Sequence, residues 1–105
     1  MSKAKTYYHA TDYNNLYSII QNGLLANNTE NIVYLCEKEE DAIKFAYMHR
    51  VMHAVTFKVT VRQQSKIIET FDHSQAFFKC RCFGFQGNIP AEWVEPSKEY
   101  DFTNL

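Results

Sequence analysis

Hydrophobic and polar positions change their period along this chain, and the changes divide it into elements. Residues 6–9, Thr6-Tyr7-Tyr8-His9, form a short aromatic run, the first predicted strand. Thr11 and Asp12 can each cap the segment that follows. There Tyr13, Leu16, Ile19 and Ile20 fall at helical spacing, and Asn14, Asn15, Ser18 and Gln21 fill the opposite side. Gly23 stands where a left-handed residue ends such a helix, with Leu24 placed to fold back on the last turn. Residues 26–31 are polar and Asn-rich, a loop. Ile32-Val33-Tyr34-Leu35-Cys36 is a brief apolar run of the kind that makes a buried strand. A second helix opens at Glu37, with Glu37, Glu39, Glu40 and Asp41 at its start and His49, Arg50 and His53 at its end. That order suits the helix dipole. Ala42, Phe45, Ala46 and His49 make its inward stripe.

From Val55 the period becomes two. Val55, Phe57, Val59 and Val61 alternate with Thr56, Lys58, Thr60 and Arg62, which predicts a half-buried strand. A turn at 63–66, a short strand at 67–71 and a turn at Asp72-His73-Ser74-Gln75 follow. Residues 77–85 read as a long strand, with Lys79 and Arg81 on one face, Cys80 and Cys82 on the other, and a bend or bulge at Gly84. Gly87-Asn88-Ile89-Pro90 is a turn, residues 92–95 a last strand stopped by Pro96, and the remainder a polar tail with Tyr100 and Phe102 as anchors. Two early helices followed by strands joined through hairpin-length links predict an α+β domain on an antiparallel or mixed sheet, not a doubly wound one.

Composition narrows the picture. A chain of 105 residues holds one core, and an aromatic share of 15% supplies the bulk for it. The formal net charge of -1 argues against avid binding to bulk nucleic acid, which needs clustered Lys and Arg. Three cysteines, Cys36, Cys80 and Cys82, without C-x-x-C spacing match neither a disulfide framework nor a zinc site, and Cys80 with Cys82 reads as a pair of small buried hydrophobes. No signal peptide or membrane-length apolar run is visible, so the expectation is a soluble, cytoplasmic protein from a reducing compartment. His49 and His53 have the i, i+4 spacing of paired metal ligands. The Glu of an H-E-x-x-H motif is missing, and no metal is expected.

The stretch with the most chemistry is Tyr8-His9-Ala10-Thr11, where a strand would point His9 and Thr11 to one side. This run, a helix ending in Asn22-Gly23-Leu24, then Val33-Tyr34-Leu35, then Glu40-Asp41-Ala42-Ile43-Lys44-Phe45-Ala46, resembles the ADP-ribosyltransferase superfamily. It is similar to the branch that includes poly(ADP-ribose) polymerases, small bacterial transferases and RNA 2'-phosphotransferases. Gly87-Asn88-Ile89-Pro90-Ala91-Glu92-Trp93-Val94 resembles the ending common among the small members. The resemblance runs from roughly residue 7 to 95, in a chain shorter than typical active members.

The resemblance implies a split pair of antiparallel sheets gripping NAD, here a substrate. It implies that His9 bonds the ribose next to nicotinamide, with Ala10 beside it and the Thr11 hydroxyl in support, and that Tyr34 meets the nicotinamide ring. Phe45 takes the place of a second aromatic around that ring. Tyr34 and Phe45 have equally plain readings as core bulk. The catalytic carboxylate expected of the family matches Glu92 by position, with Glu69 as rival; it would hold the ribose 2'-hydroxyl and stabilise positive charge developing at C1'. If neither acid reaches the cleft, the alternative is a nucleotide-, RNA- or protein-binding module without turnover, an inhibitor or antitoxin-like partner. The acceptor, protein or nucleic acid, is unspecified. The RNA 2'-phosphotransferase reading ranks lower, because Arg50, Arg62 and Arg81 lie outside that family's arginine motifs. Lys79 and Arg81 are a basic pair for a pyrophosphate or a solvated sheet face.

Overall fold

Each of the described strands pairs antiparallel with its neighbours, although most of the paired strands are not successive in the chain. The structure, a computed structural model, describes residues 4–26, 29, 31–70 and 82–103. Its elements in order are β1 (Lys5–Asp12), α1 (Leu16–Asn22), β2 (Ile32–Cys36), α2 (Glu39–Met48), β3 (His53–Val61), β4 (Ile67–Thr70), β5 (Cys82–Gln86) and β6 (Val94–Asp101). Short 3-10 turns occupy Tyr13–Asn15, Gln64–Lys66 and Ala91–Trp93. The strands form a six-stranded sheet in the order β4-β5-β2-β1-β3-β6, which with the two helices makes an α+β fold. Among the described residues no helix is long and apolar enough to cross a membrane.

Residues directly opposite in a ladder share a face, so the register sorts the side chains. Tyr7 opposite Val59, His9 opposite Phe57, Leu35 opposite Phe83 and Val33 opposite Phe85 lie on one face. That face carries the core, closed by Ile19 of α1 and by Leu24 and Ile89, with Leu16 and Trp93 packed alongside. Leu24 and Ile89 exchange backbone hydrogen bonds of 3.0 and 2.8 Å, which tie the end of α1 to the 87–90 turn. Gly23 sits at that junction with φ 77°, and a Cβ there would lie 2.1 Å from the Ile89 carbonyl. Only glycine tolerates both the angle and the approach.

The opposite face carries Tyr8, Ala54, Thr56, Cys36 and Cys82 in the same registers. α2 is fastened over it. Its Glu39 accepts from the Tyr100 hydroxyl at 3.2 Å and from Ser97, and Tyr100 lies opposite Ala54 in the β3–β6 ladder. Burial and the neighbouring Glu39 carboxylate push the Tyr100 phenol above its ordinary pKa.

Several expectations change. β1 extends to Asp12, whose side chain accepts from the Asn14 amide and caps a 3-10 turn before α1 begins. Ile20 is exposed, because α1 turns only Ile19 fully inward. α2 begins at Glu39 and ends at Met48, so His53 is not a helical residue; it opens β3, stacks on Tyr13 and pairs with Glu99 at 2.6 Å. The i, i+4 histidine pair therefore does not exist. β3 is buried on both faces near its start, from Ala54 to Phe57. Gly84 pairs in regular register with Tyr34 and Ile68, and the ladder irregularity falls instead between Val55 and Phe57 where β3 meets β6. Pro96 does not stop the last strand. β6 is an edge strand, where the missing amide costs no ladder bond on the outer side, and it runs on to Asp101. Tyr100 and Phe102 do anchor this end, Phe102 packing edge-on to Tyr47. The turn at residues 72–75, and the part of the predicted long strand that carries Lys79, Cys80 and Arg81, lie outside the described residues.

Candidate functional site

The two edges of β1 are unequal. Toward β3 the ladder pairs all eight residues, from Lys5↔Val61 to Asp12↔Ala54. Toward β2 it pairs one, Tyr8↔Cys36. Past that point β1 and β2 diverge, and the gap between them is a cavity of about 290 Å³. The sheet is thus a single hydrogen-bonded array with a near-break, not two separate sheets.

The wall of this cavity is built from both sides of the gap. β1 contributes Tyr8, His9, Ala10 and Thr11; β2 contributes Tyr34, Leu35 and Cys36; β5 contributes Cys82. α2 roofs it with Ala42, Phe45 and Ala46; His49, which caps the helix and completes the stripe that the sequence places inward, and Val51 also line it. Two small alanines let the helix lie close while leaving space beneath it. A second cavity of about 220 Å³ adjoins, lined by His9, Thr11, Asn15, Ser18, Ile19, Gly23, Leu24 and Leu25. His9 and Thr11, on one face of β1, line both.

His9 bridges the opening. Its Nδ1 lies 2.8 Å from the backbone carbonyl oxygen of Tyr34. A carbonyl only accepts, so Nδ1 carries the proton and donates, and in the neutral ring Nε2 is left as an acceptor. Burial pushes the His9 pKa down from its ordinary value of 6.5, and the bond to the Tyr34 carbonyl opposes that shift in part. The neutral tautomer is therefore the resident form at neutral pH. Thr11 Oγ1 accepts from Asn15 Nδ2 at 3.0 Å, which directs the hydroxyl proton elsewhere. Tyr34 retains 39% of its surface exposed, more than a core tyrosine would, so its ring is presented at the cleft.

Of the residues singled out in the sequence, His9, Ala10, Thr11, Tyr34 and Phe45 share the first cavity. Glu92 does not line either cavity. It is exposed on the 91–93 turn, which abuts Gly23 in the wall of the second cavity. Glu69 is exposed in β4, an edge strand beyond β5. Among the described residues no Asp, Glu, Lys or Arg lines either cavity, and no cluster of three His, Cys, Asp or Glu side chains suits a metal ion. Sequence reading missed Tyr8, Cys36, Cys82 and Asn15 as lining residues. Asn15 stands four residues after Thr11, a spacing that could have signalled it, whereas Cys36 meets Cys82 only through strand register. No protein-family model matches the chain, and no curated protein matches its sequence.

The arrangement can seat a planar ring against apolar and aromatic walls while an uncharged imidazole acceptor and a hydroxyl meet adjoining sugar hydroxyls. Sites for small organic ligands combine such walls with a few fixed polar groups.

Proposed function

We propose that this chain is an ADP-ribosyltransferase-like domain that binds NAD, or a nucleotide like it, in the cleft between β1 and β2. The supporting observation is the His9–Tyr34 bridge: it joins the two strands at the gap, fixes the imidazole tautomer and leaves Nε2 to accept from a ribose hydroxyl. Thr11 lies on the same side of β1 as a second hydroxyl contact. Tyr34 and Phe45 flank the nicotinamide ring, and Ala10 gives it backbone-close room. Among the described residues the contacts offered by the two walls are to the ring and its ribose.

Calorimetry and thermal unfolding with NAD test this. A ligand that prefers the native state raises the melting temperature, by an amount equivalent to about 2.7 kcal/mol at a hundredfold excess over Kd. The rise is expected in the unaltered protein and absent in His9→Ala. No response to NAD in a folded sample defeats the reading.

A second reading adds transfer of ADP-ribose to an acceptor. Glu92 favours it, because the 91–93 turn that bears it touches the wall of the second cavity. In that reaction the bond between C1' and the nicotinamide nitrogen breaks, nicotinamide leaves with the electron pair, and an acceptor nucleophile bonds to C1' as a carboxylate takes its proton. Release of nicotinamide that is lost in Glu92→Gln supports transfer. NAD binding without release leaves the domain a nucleotide-binding module.

A further inference from the structure

The point where the cleft begins carries two thiols. Tyr8 opposite Cys36, and Cys36 opposite Cys82, form one row across β1, β2 and β5, so both cysteines lie on the face beneath α2. Both are reduced and nearly buried, at 6% and 4% exposure, yet both line the first cavity. Directly opposed residues of antiparallel strands have Cα atoms about 4.5 or 5.5 Å apart. A disulfide accepts Cα separations of about 4.4–6.8 Å. The backbone is therefore already spaced for a bond, and the cavity gives a small reagent a path that a sealed core would deny.

We propose that Cys36 and Cys82 form a reversible dithiol–disulfide pair in the wall of the cleft, oxidised by a small disulfide of the glutathione type. One thiolate attacks a sulfur of oxidised glutathione, whose S–S bond breaks and releases one glutathione thiol. The second cysteine thiolate then attacks the mixed disulfide and releases the other glutathione. In sum the two cysteines lose two protons and two electrons, and oxidised glutathione becomes two thiols. The bond staples β2 to β5 at the row from which β1 diverges, and it narrows the floor under Ala42 and Ala46.

The test uses the full chain with Cys80→Ser, which removes the third thiol from competition. Native protein is treated with oxidised glutathione, and circular dichroism checks that it stays folded. The expected result is loss of two hydrogens by mass, a Cys36–Cys82 cross-link by peptide mapping, and full reversal by dithiothreitol. A stable adduct of glutathione on one cysteine, or thiols that stay reduced until the protein is denatured, overturns the proposal. A further arm repeats the oxidation with saturating NAD, and this arm alone rests on the nucleotide reading. Slowing by tenfold or more is the result expected if NAD fills the cleft. A cross-link that forms at an unchanged rate leaves the dithiol standing and counts against NAD occupancy of this cavity.

Discussion

β1 offers two edges to its neighbours, and they are treated oppositely. Against β3 each residue is matched, and the paired Val55, Phe57, Val59 and Val61 are all buried. Against β2 one pair holds, and beyond it a side chain takes over from the backbone: the His9 imidazole donates to the Tyr34 carbonyl across the gap. The closed edge supplies rigidity and the open edge supplies a cavity whose polar groups are fixed in direction. A cleft can be cut into so small a sheet because the neighbouring ladder is complete.

The comparison can be broken by attacking each edge. Phe57, fully buried opposite His9, is the firmest test of the closed side. Phe57→Ala is expected to cost about 3–5 kcal/mol in urea unfolding, through lost burial and the cavity left behind. Tyr34→Ala, at the open side, is expected to cost less than half as much, since its ring is already in part hydrated. Equal costs would mean that the edges do not differ as described.

Next in size is Gly23→Ala. The added Cβ meets the Ile89 carbonyl at 2.1 Å and the alanine is held at φ 77°. A strained backbone of this kind costs about 1–3 kcal/mol, more where atoms must also shift. The melting temperature should fall, because the added Cβ forces the end of α1 away from the Ile89–Ala91 backbone.

The smallest effect sharpens the open side. His9 has a folded pKa below its unfolded one, so the unfolded chain binds more protons between the two values. Stability from this group is complete above the ordinary value of 6.5 and declines as pH falls toward the lowered folded value. Thermal unfolding from neutral pH downward should show a shallower acid loss in His9→Ala than in the unaltered protein. An identical pH profile in the two would remove His9 from the titrating groups that matter.

Much of the chain could be read before folding. The 32–36 strand matches Ile32–Cys36 residue for residue, because a continuous apolar run bounded by polar residues has one sensible use. The inward stripe of α2 was legible too, though what it faces is a cavity and not solid core. The failures share a cause. Pro96 reads as a stop, the histidines at 49 and 53 as one helical face, and Gly84 as a bulge, because local pattern contains no information about which strand is an edge or where a neighbour's ladder ends.

The order of side chains alone determined the inward stripe of α2 and the placement of His9 and Thr11 on one side of β1, since these follow from backbone periodicity within a few residues. Which edge of β1 closes and which stays open was settled only in three dimensions. So were the meeting of His9 with the Tyr34 carbonyl and of Cys36 with Cys82, and the distance of Glu92 from the cavity lining. Those outcomes depend on pairings between residues far apart in the chain, where the competing registers differ in packing and not in sequence pattern.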